Sequence, residues 1–524
     1  MCGPLGSPPG LRHLWVCLLA GVGACVAPSS PSGPSASPTT GSTGSEAVEW
    51  ISEPTLRHPT GAGRLVRVLA FETREPVGFR VTVSSGDRVE VQDFSPRTAL
   101  RVAPIFGFRA DGIHDVTVEV SGETFAFRVE TRPLPDVFPI LEVLTHEPVR
   151  SEPGLTLFRA HNSDGWTYLI AVDALGEVAW YYEARAKWED LRLLPDGTLL
   201  GTAAGDVVHV HTTGEHRRVF TGEEKYHHEA YPGPDGGFFT LMHRAEEVDD
   251  YPKSYSCARS QPAQVKDQVI IQADADGTPL REWSLLSVLD PTRIGWGSLD
   301  ETGLGFDWGH ANSVVWLPEE DALVASVRHQ DAVVKIDRAT GALQWILGTH
   351  DNWSAAMAPY LLTPVGEDFA WPFHQHAPDI QGDRLLLFDN GNAGDTPCDG
   401  EENVGSVSSR LVIYEIDSTA MDVSQVWSWN ALPDGALFAN SLGDADWMPT
   451  TGNVLGVWGF LWSEGLGDNE DLGRGSRSAR LVEVDPDTDE IVWDLNVYSE
   501  RDHVRRGWTV YRAQRIPSLY PDDP

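Results

Sequence analysis

Ala171-Val172-Asp173-Ala174-Leu175-Gly176-Glu177-Val178-Ala179-Trp180 reads as a strand, an aspartate, a tight turn and a second strand that ends on tryptophan. The same unit recurs around Asp274 with Trp283, Asp337 with Trp345, Asp417 with Trp427 and Asp485 with Trp493, and a degenerate copy covers 208–220. Between these units lie hairpins with Pro-Asp-Gly-type turns, as in Leu194-Pro195-Asp196-Gly197-Thr198-Leu199-Leu200. Comparable turns occur at Pro234-Asp235-Gly236, Pro318-Glu319-Glu320-Asp321, Gln381-Gly382-Asp383 and Thr450-Thr451-Gly452-Asn453. Two hairpins per repeat make a four-stranded blade, and about six repeats predict a closed six-bladed β-propeller over 136–524. The uneven spacing calls for loop insertions, of which the polar stretch from Glu246 to Lys266 is the clearest.

The chain upstream fits an all-β protein as well. From 48 to 135 short runs alternate apolar and polar residues, for example Gly78-Phe79-Arg80-Val81-Thr82-Val83 and Asp115-Val116-Thr117-Val118-Glu119-Val120. Turn residues punctuate them, which predicts a small β-sandwich ahead of the propeller. A chain of 524 residues is too long for one ordinary core, so two folded domains are expected.

The N-terminus carries an export signal over 1–25: Arg12, an apolar run from Leu14 to Val22, then Gly23-Ala24-Cys25. That run is too short to span a bilayer as a mature helix. Val22-Gly23-Ala24-Cys25 resembles a bacterial lipobox, which implies lipidation of Cys25 and membrane attachment; plain cleavage near Ala24 is the alternative. The stretch 26–47 is rich in Pro, Ser, Gly and Thr and is expected to act as a tether. The expected location is therefore the periplasm, the outer membrane or the cell surface.

With 77 acidic against 39 basic residues the formal net charge is −38, which repels a phosphate backbone and argues against nucleic-acid binding. Of five cysteines only Cys257 and Cys398 lie in the folded body, and an oxidising compartment makes them a candidate disulfide pair.

Candidate chemistry lies just upstream of the hairpins. His227-His228-Glu229-Ala230, His310-Ala311-Asn312-Ser313 and His374-Gln375-His376-Ala377 put histidine at one corresponding point of three repeats, and Glu189-Asp190-Leu191-Arg192 fills that point in a fourth. In a propeller this point lies on the innermost strand, so side chains from separate blades converge on the axis. Arg328 follows the hairpin of the His310 repeat and is placed to enter the same pocket. Imidazoles with a guanidinium and an amide suit an anionic, oxygen-rich group: arginine matches sulfate or phosphate oxygens with a fixed fork. A neutral imidazole can attack such a centre. There is no Gly-x-Ser-x-Gly nucleophile elbow and no Gly-rich phosphate loop in the sequence.

Phe306-Asp307-Trp308-Gly309-His310-Ala311-Asn312-Ser313-Val314 resembles the signature of bacterial arylsulfate sulfotransferases. Ala325-Ser326-Val327-Arg328-His329-Gln330, Lys335-Ile336-Asp337, Leu343-Gln344-Trp345-Ile346-Leu347-Gly348, Phe373-His374-Gln375-His376 and Leu387-Phe388-Asp389-Asn390-Gly391-Asn392 extend it. The resemblance implies a propeller that uses aryl sulfate esters as donors and phenols as acceptors, with neither nucleotide nor other cofactor. It implies sulfation of His376, a His-x-Asn pair at His310 and Asn312, and sulfate binding by Arg328. It further implies a third histidine at His228, with His227 as the alternative or an adjoining substrate contact. A His376-linked, ping-pong transfer is the expected mechanism. Two other functions fit three axial histidines: a metal-dependent propeller lyase or hydrolase, and a ligand-binding lipoprotein without catalysis.

Overall fold

The computed structural model describes residues 40–42, 48–392, 397–398, 408–462, 477–499 and 507–520, apart from 97, 185, 216, 223, 432–434 and 436. The expected signal at 1–25, with Cys25, and most of the expected tether lie outside the described residues.

The recurring Asp and Trp have one physical explanation, because each makes half of a contact between neighbouring sheets. The aspartate caps its own turn: Asp173 Oδ1 accepts the N–H groups of Leu175 and Glu177, and Asp274 Oδ1 accepts those of Asp276 and Thr278. Asp337, Asp417 and Asp485 do the same for Thr340, for Thr419 and Ala420, and for Asp487. Such side-chain-to-backbone bonds give the turn a fixed shape. The tryptophan of one sheet then lands on the turn of the next. Trp180 Nε1 donates to the Thr212 carbonyl, Trp427 Nε1 to Asp489 Oδ1 and Trp493 Nε1 to the Ala174 carbonyl. In the degenerate copy Phe220 takes the place of tryptophan and packs on the turn glycine Gly277, where a Cβ would strike its ring.

Among the described residues, five sheets with four successive antiparallel strands follow along the chain, preceded by one whose fourth strand comes from near the C-terminus. The second holds Arg192–Leu193, Thr198–Ala203, Asp206–His211 and Arg217–Phe220, and the third Tyr226–Pro232, Phe238–Pro252, Arg259–Ala273 and Pro279–Ser284. The fourth holds Ala311–Leu317, Ala322–Val327, Ala332–Asp337 and Leu343–Gly348. The fifth runs from His376–Gln381 through Arg384–Asp389 and Arg410–Asp417 to Asp422–Trp429, and the sixth from Asp444–Trp447 through Val454–Trp462 and Arg477–Asp485 to Glu490–Tyr498. The first sheet is closed from a distance. Its chain-early strands Leu155–Asn162, Thr167–Val172 and Val178–Ala184 receive Trp508–Ile516 as the fourth strand, with Leu155 opposite Ile516 and Asn162 opposite Trp508. Reciprocally, Ile140–His146 pairs with the last strand of the sixth sheet. The protein is thus all-β and propeller-like.

Upstream, Trp50–Arg57, Arg67–Thr73 and Leu100–Ile105 form one sheet. A second sheet has the order Thr40–Ser42, Glu123–Glu130, Ile113–Val120, Phe79–Ser85, Arg88–Phe94. Alternate residues turn inward, as in the exposed–buried alternation of Ile113–Val120, and Phe71, Phe79, Phe94 and Phe125 fill the space between the sheets. This core continues into Phe158, Tyr168 and Trp508 of the first propeller sheet.

Two expectations need correction. The stretch from Glu246 to Lys266 is no irregular loop: Phe238–Pro252 and Arg259–Ala273 pair along most of their 15 residues each, so the insertion prolongs a hairpin. Its polar residues Glu246, Glu247, Asp249 and Gln264 are exposed, while Val248, Tyr251, Ala263 and Val265 are buried. Within the expected tether, Thr40–Ser42 pairs with the strand Glu123–Glu130; backbone pairing needs no apolar side chain.

The closing strand fixes a test. Gly459 lies on Val454–Trp462, and an added Cβ would collide with the Val510 carbonyl oxygen on Trp508–Ile516. Gly459→Ala is expected to destabilise the protein by about 2 kcal/mol, as overpacking against backbone does. Gly303→Ala, where nothing lies within 4 Å of the new atom, is expected to change the denaturant midpoint little.

Candidate active site

The histidines sit where the inner strands begin, and the backbone there is unusual. His228, His310, His374 and Ala377 have φ of 57°, 46°, 54° and 50°. A left-handed conformation is costly for residues with a Cβ and marks positions held by their surroundings. Strand register also shifts between His227 and Ala230, between Ala311 and Ser313, and between His376 and Asp379. The N–H groups released by this irregularity are captured by side chains. His228 N–H donates to Glu189 Oε2 at 2.9 Å, Ala230 N–H to Asp190 Oδ2 at 3.1 Å and Ala311 N–H to Gln268 Oε1 at 3.2 Å. His374 N–H donates to Asp331 Oδ1 at 2.8 Å.

These strand starts bring imidazoles from three sheets together. The ring centroids of His228 and His310 are 5.2 Å apart, and those of His310 and His329 4.7 Å. The Tyr511 ring, on the closing strand, lies 5.9 Å from His228 and 6.2 Å from His376. His376 is buried, and the Arg328 charge acts on both His376 and His310. His376, His310, His228 and Arg328, expected to converge, therefore share one electrostatic environment. Asn312 acts on the segment between two histidines: its Nδ2 donates to the Gln375 carbonyl, which also accepts from Ser326 Oγ. His227 lies behind His228, its ring stacked on His243 with centroids 3.6 Å apart.

Hydrogen bonds select the tautomers. Asn390 Nδ2 donates to the carbonyls of Ala439 and Leu442 at 2.7 and 2.9 Å, which fixes the amide orientation. Asn390 Oδ1, 2.6 Å from His376 Nδ1, is then an acceptor, so His376 carries its hydrogen on Nδ1 and a bare lone pair on Nε2. Asp307 Oδ2 lies 2.7 Å from His310 Nδ1, the carboxylate–imidazole pairing that likewise leaves His310 Nε2 free.

Burial first, then the Arg328 charge, pushes the pKa of His376 well below the usual histidine value. Burial, then His228 and Arg328, does the same for His310. His228 is lowered by burial, against which the Glu189 charge works. Glu189 itself is raised by burial but brought down to about 2 by His228 and Lys187. Burial lowers Arg328 to about 10, which leaves it charged at neutral pH. Asp307, His310 and His329 bring ligand-type atoms within 4.8 Å of one another. The Asp307 carboxylate there already holds a resident cation, Lys266 Nζ at 2.8 Å.

Tyr511 and Arg512 were not foreseen. Tyr511 OH and Arg512 Nη2 donate to the Asn312 carbonyl at 3.0 and 3.1 Å, and Arg512 Nη1 pairs with buried Glu229 at 2.8 Å. Counting inner strands was the available signal: the Asp–Trp units leave the first sheet without one, and Trp508–Ile516 is the strand left over. Cys257 and Cys398 are joined by a disulfide, with Cα atoms 5.0 Å apart.

The family model described as arylsulfotransferase (ASST) matches residues 141–512. Two curated relatives bear the name arylsulfate sulfotransferase AssT. That of Escherichia coli O6:H1 is 24% identical over 291 residues, 47% of this chain and 46% of the relative. That of Lelliottia amnigena is 27% identical over 215 residues, 32% of this chain and 35% of the relative. The matches span about half or less of the length of these relatives. Among solved structures, a Bacteroides caccae protein of unknown function aligns over 69% of this chain and 98% of its own, at 14% identity and a TM-score of 0.40. A luciferin-regenerating enzyme aligns over 72% of this chain and 99% of its own, at 10% identity and a TM-score of 0.33.

In nitrogen-15 spectra of histidine-labelled protein, His376 is expected as the neutral Nδ1–H tautomer at pH 6.5, where an exposed histidine is half protonated. Asn390→Ala is expected to mix the two tautomers; an unchanged spectrum would show that Asn390 does not set it.

Proposed function

Because the chain belongs to the arylsulfotransferase family, we propose that it moves a sulfuryl group from an aryl sulfate ester to a phenol through His376. The observation that carries this reading is the bare His376 Nε2, fixed by Asn390 and kept unprotonated by burial beside Arg328. A nucleophile needs a free electron pair at working pH, and this arrangement provides one.

In the first half-reaction Nε2 of His376 forms a bond to sulfur. The bond from sulfur to the aryl oxygen breaks, and its electron pair leaves on that oxygen. The aryl oxygen departs as phenoxide and takes its proton from solvent, since neutral His310 carries its hydrogen on Nδ1 against Asp307 and has none on Nε2 to give. In the second half-reaction an acceptor phenol gives its proton to the bare His310 Nε2 as its oxygen attacks sulfur, and His376 leaves with the nitrogen electron pair. The Asp307 carboxylate at Nδ1 supports the imidazolium until it releases the proton to solvent. Arg328 binds sulfuryl oxygens through its guanidinium fork. Asn312 and Tyr511 hold the strand starts in place through the Gln375 and Asn312 carbonyls. The phenol's proton reaches solvent through His310 and the departing phenoxide takes one up from solvent, so protons and charges balance over the two steps and the proposed reaction needs no nucleotide or other co-reactant.

Transfer from p-nitrophenyl sulfate to phenol, followed by nitrophenol release, tests the reading. His376→Ala is expected to lose activity by about 10³-fold or more, as removal of a covalent nucleophile does. The wild type, mixed with donor alone, is expected to take up one acid-labile sulfuryl group per active site. Release that needs no acceptor would indicate a hydrolase and overturn the proposal. In the pH profile, lowered histidine pKa values place the loss of nucleophile on the acid side: activity is expected to persist through pH 6.5 and to fall only well below it.

The disulfide between Cys257 and Cys398 supports export to an oxidising compartment, in keeping with the N-terminal sequence. Attachment through a lipidated Cys25 follows as part of the same proposal. A Cys25→Ala variant, expressed in a Gram-negative host, is expected to move from the membrane fraction to the soluble fraction.

A further inference from the structure

His227 lies outside the reaction just described, yet it is buried against it. The residue is 6% exposed, and its Nδ1 lies 2.7 Å from His228 Nδ1. Its Nε2 is buried and has no hydrogen-bond partner among the described residues. One hydrogen must lie between the two Nδ1 atoms, and only two arrangements supply it. If His228 is the donor, neutral His227 carries its own hydrogen on Nε2, as a buried N–H with nothing to accept it. If His227 is the donor, its orphaned Nε2 is a bare acceptor, and no N–H is stranded. Buried unpaired N–H groups are rarer than under-satisfied acceptors, and the second arrangement is favoured.

We propose that His227 is a positioning residue: it donates from Nδ1 to His228 Nδ1 and thereby fixes His228 as the tautomer with its hydrogen on Nε2. His228 then offers the pocket an N–H, whereas His376 and His310 offer lone pairs. This inference rests on the sulfuryl-transfer reading and deepens it by giving the third imidazole a role of its own. His228 is a standing hydrogen-bond donor to a sulfuryl oxygen and does not shuttle a proton. Protonation of His228 at Nδ1 would place two N–H groups against each other and force His227 into the stranded arrangement. The stacking of His227 on His243 holds its ring in the plane that this bond requires. An N–H aimed at a group that gains negative charge in the transition state lowers the barrier without a change of protonation.

The unmodified, full-length protein provides the first test. In nitrogen-15 spectra without substrate, His228 is expected as the neutral Nε2–H tautomer with an unprotonated Nδ1. An Nδ1–H signal from His228 would overturn the proposal, whatever the assay shows. Two variants provide the second. His227→Leu removes the donor and is expected to mix the His228 tautomers and lower kcat by about 10- to 100-fold with little change in KM. His227→Asn places an amide N–H near the former Nδ1 and is expected to restore the Nε2–H tautomer and most of kcat. Equal loss in both variants with an unchanged tautomer would overturn the positioning role. Because the spectra are recorded without substrate, failure of this inference is distinguishable from failure of the sulfuryl-transfer reading, which the His376→Ala assay decides.

Discussion

The antiparallel pairing of Trp508–Ile516 with Leu155–Asn162 is the constraint on which the rest depends. A row of four-stranded sheets has two open edges and no axis. Once the last strand is paired with the first sheet, the inner strands face one another, and residues more than 150 positions apart become neighbours. His228 and Tyr511 meet only through this pairing, as do Glu229 and Arg512. Contacts of Trp180, Trp427 and Trp493 with the turns of the next sheets tie those blades together, and imidazole rings on neighbouring inner strands lie about 5 Å apart.

Much of this was legible in the sequence because the signals are local. An Asx-type turn needs only the aspartate and the next few N–H groups, so Asp173 or Asp274 announces itself within a handful of residues. The histidines were legible because they recur at one point of the repeat. What escaped depends on partners far away in sequence. Nothing in Trp508-Thr509-Val510-Tyr511-Arg512 differs from an ordinary strand until its pairing with Leu155–Asn162 is known. The hairpin at Glu246 to Lys266 escaped for a related reason: it buries Val248, Tyr251, Ala263 and Val265, but the polar residues between them are too many for the sequence alone to mark a strand. Thr40–Ser42 is a strand by backbone pairing alone and leaves no compositional mark.

The site is less acidic than the molecule around it. The chain carries a formal charge of −38, yet the pocket histidines are uncharged by burial, and Arg328 and Lys266 supply local positive charge. Deeper in, Glu229 is engaged by both Arg192 and Arg512, and Asp190 is raised by burial and by the Glu229 charge. This buried network fixes the inner strands from below and leaves the imidazoles governed by Asn390, Asp307 and His227 rather than by the protein's net charge. In the proposed reaction an anionic substrate would be received by a few fixed groups inside a repelling exterior, which disfavours loose binding of other anions at the surface.

The distant closure also has a consequence in time. Tyr511 and Arg512 lie on the strand that is synthesised after every other strand of the ring, yet they brace the carbonyl of Asn312 and pair with Glu229. A partly made chain can form its middle blades, one hairpin after another, but it lacks the groups that brace the carbonyl of Asn312 and pair with Glu229 from the closing strand. The inner wall that faces His228 and His376 is thus completed by the C-terminal part of the described chain, long after the strands that carry the histidines.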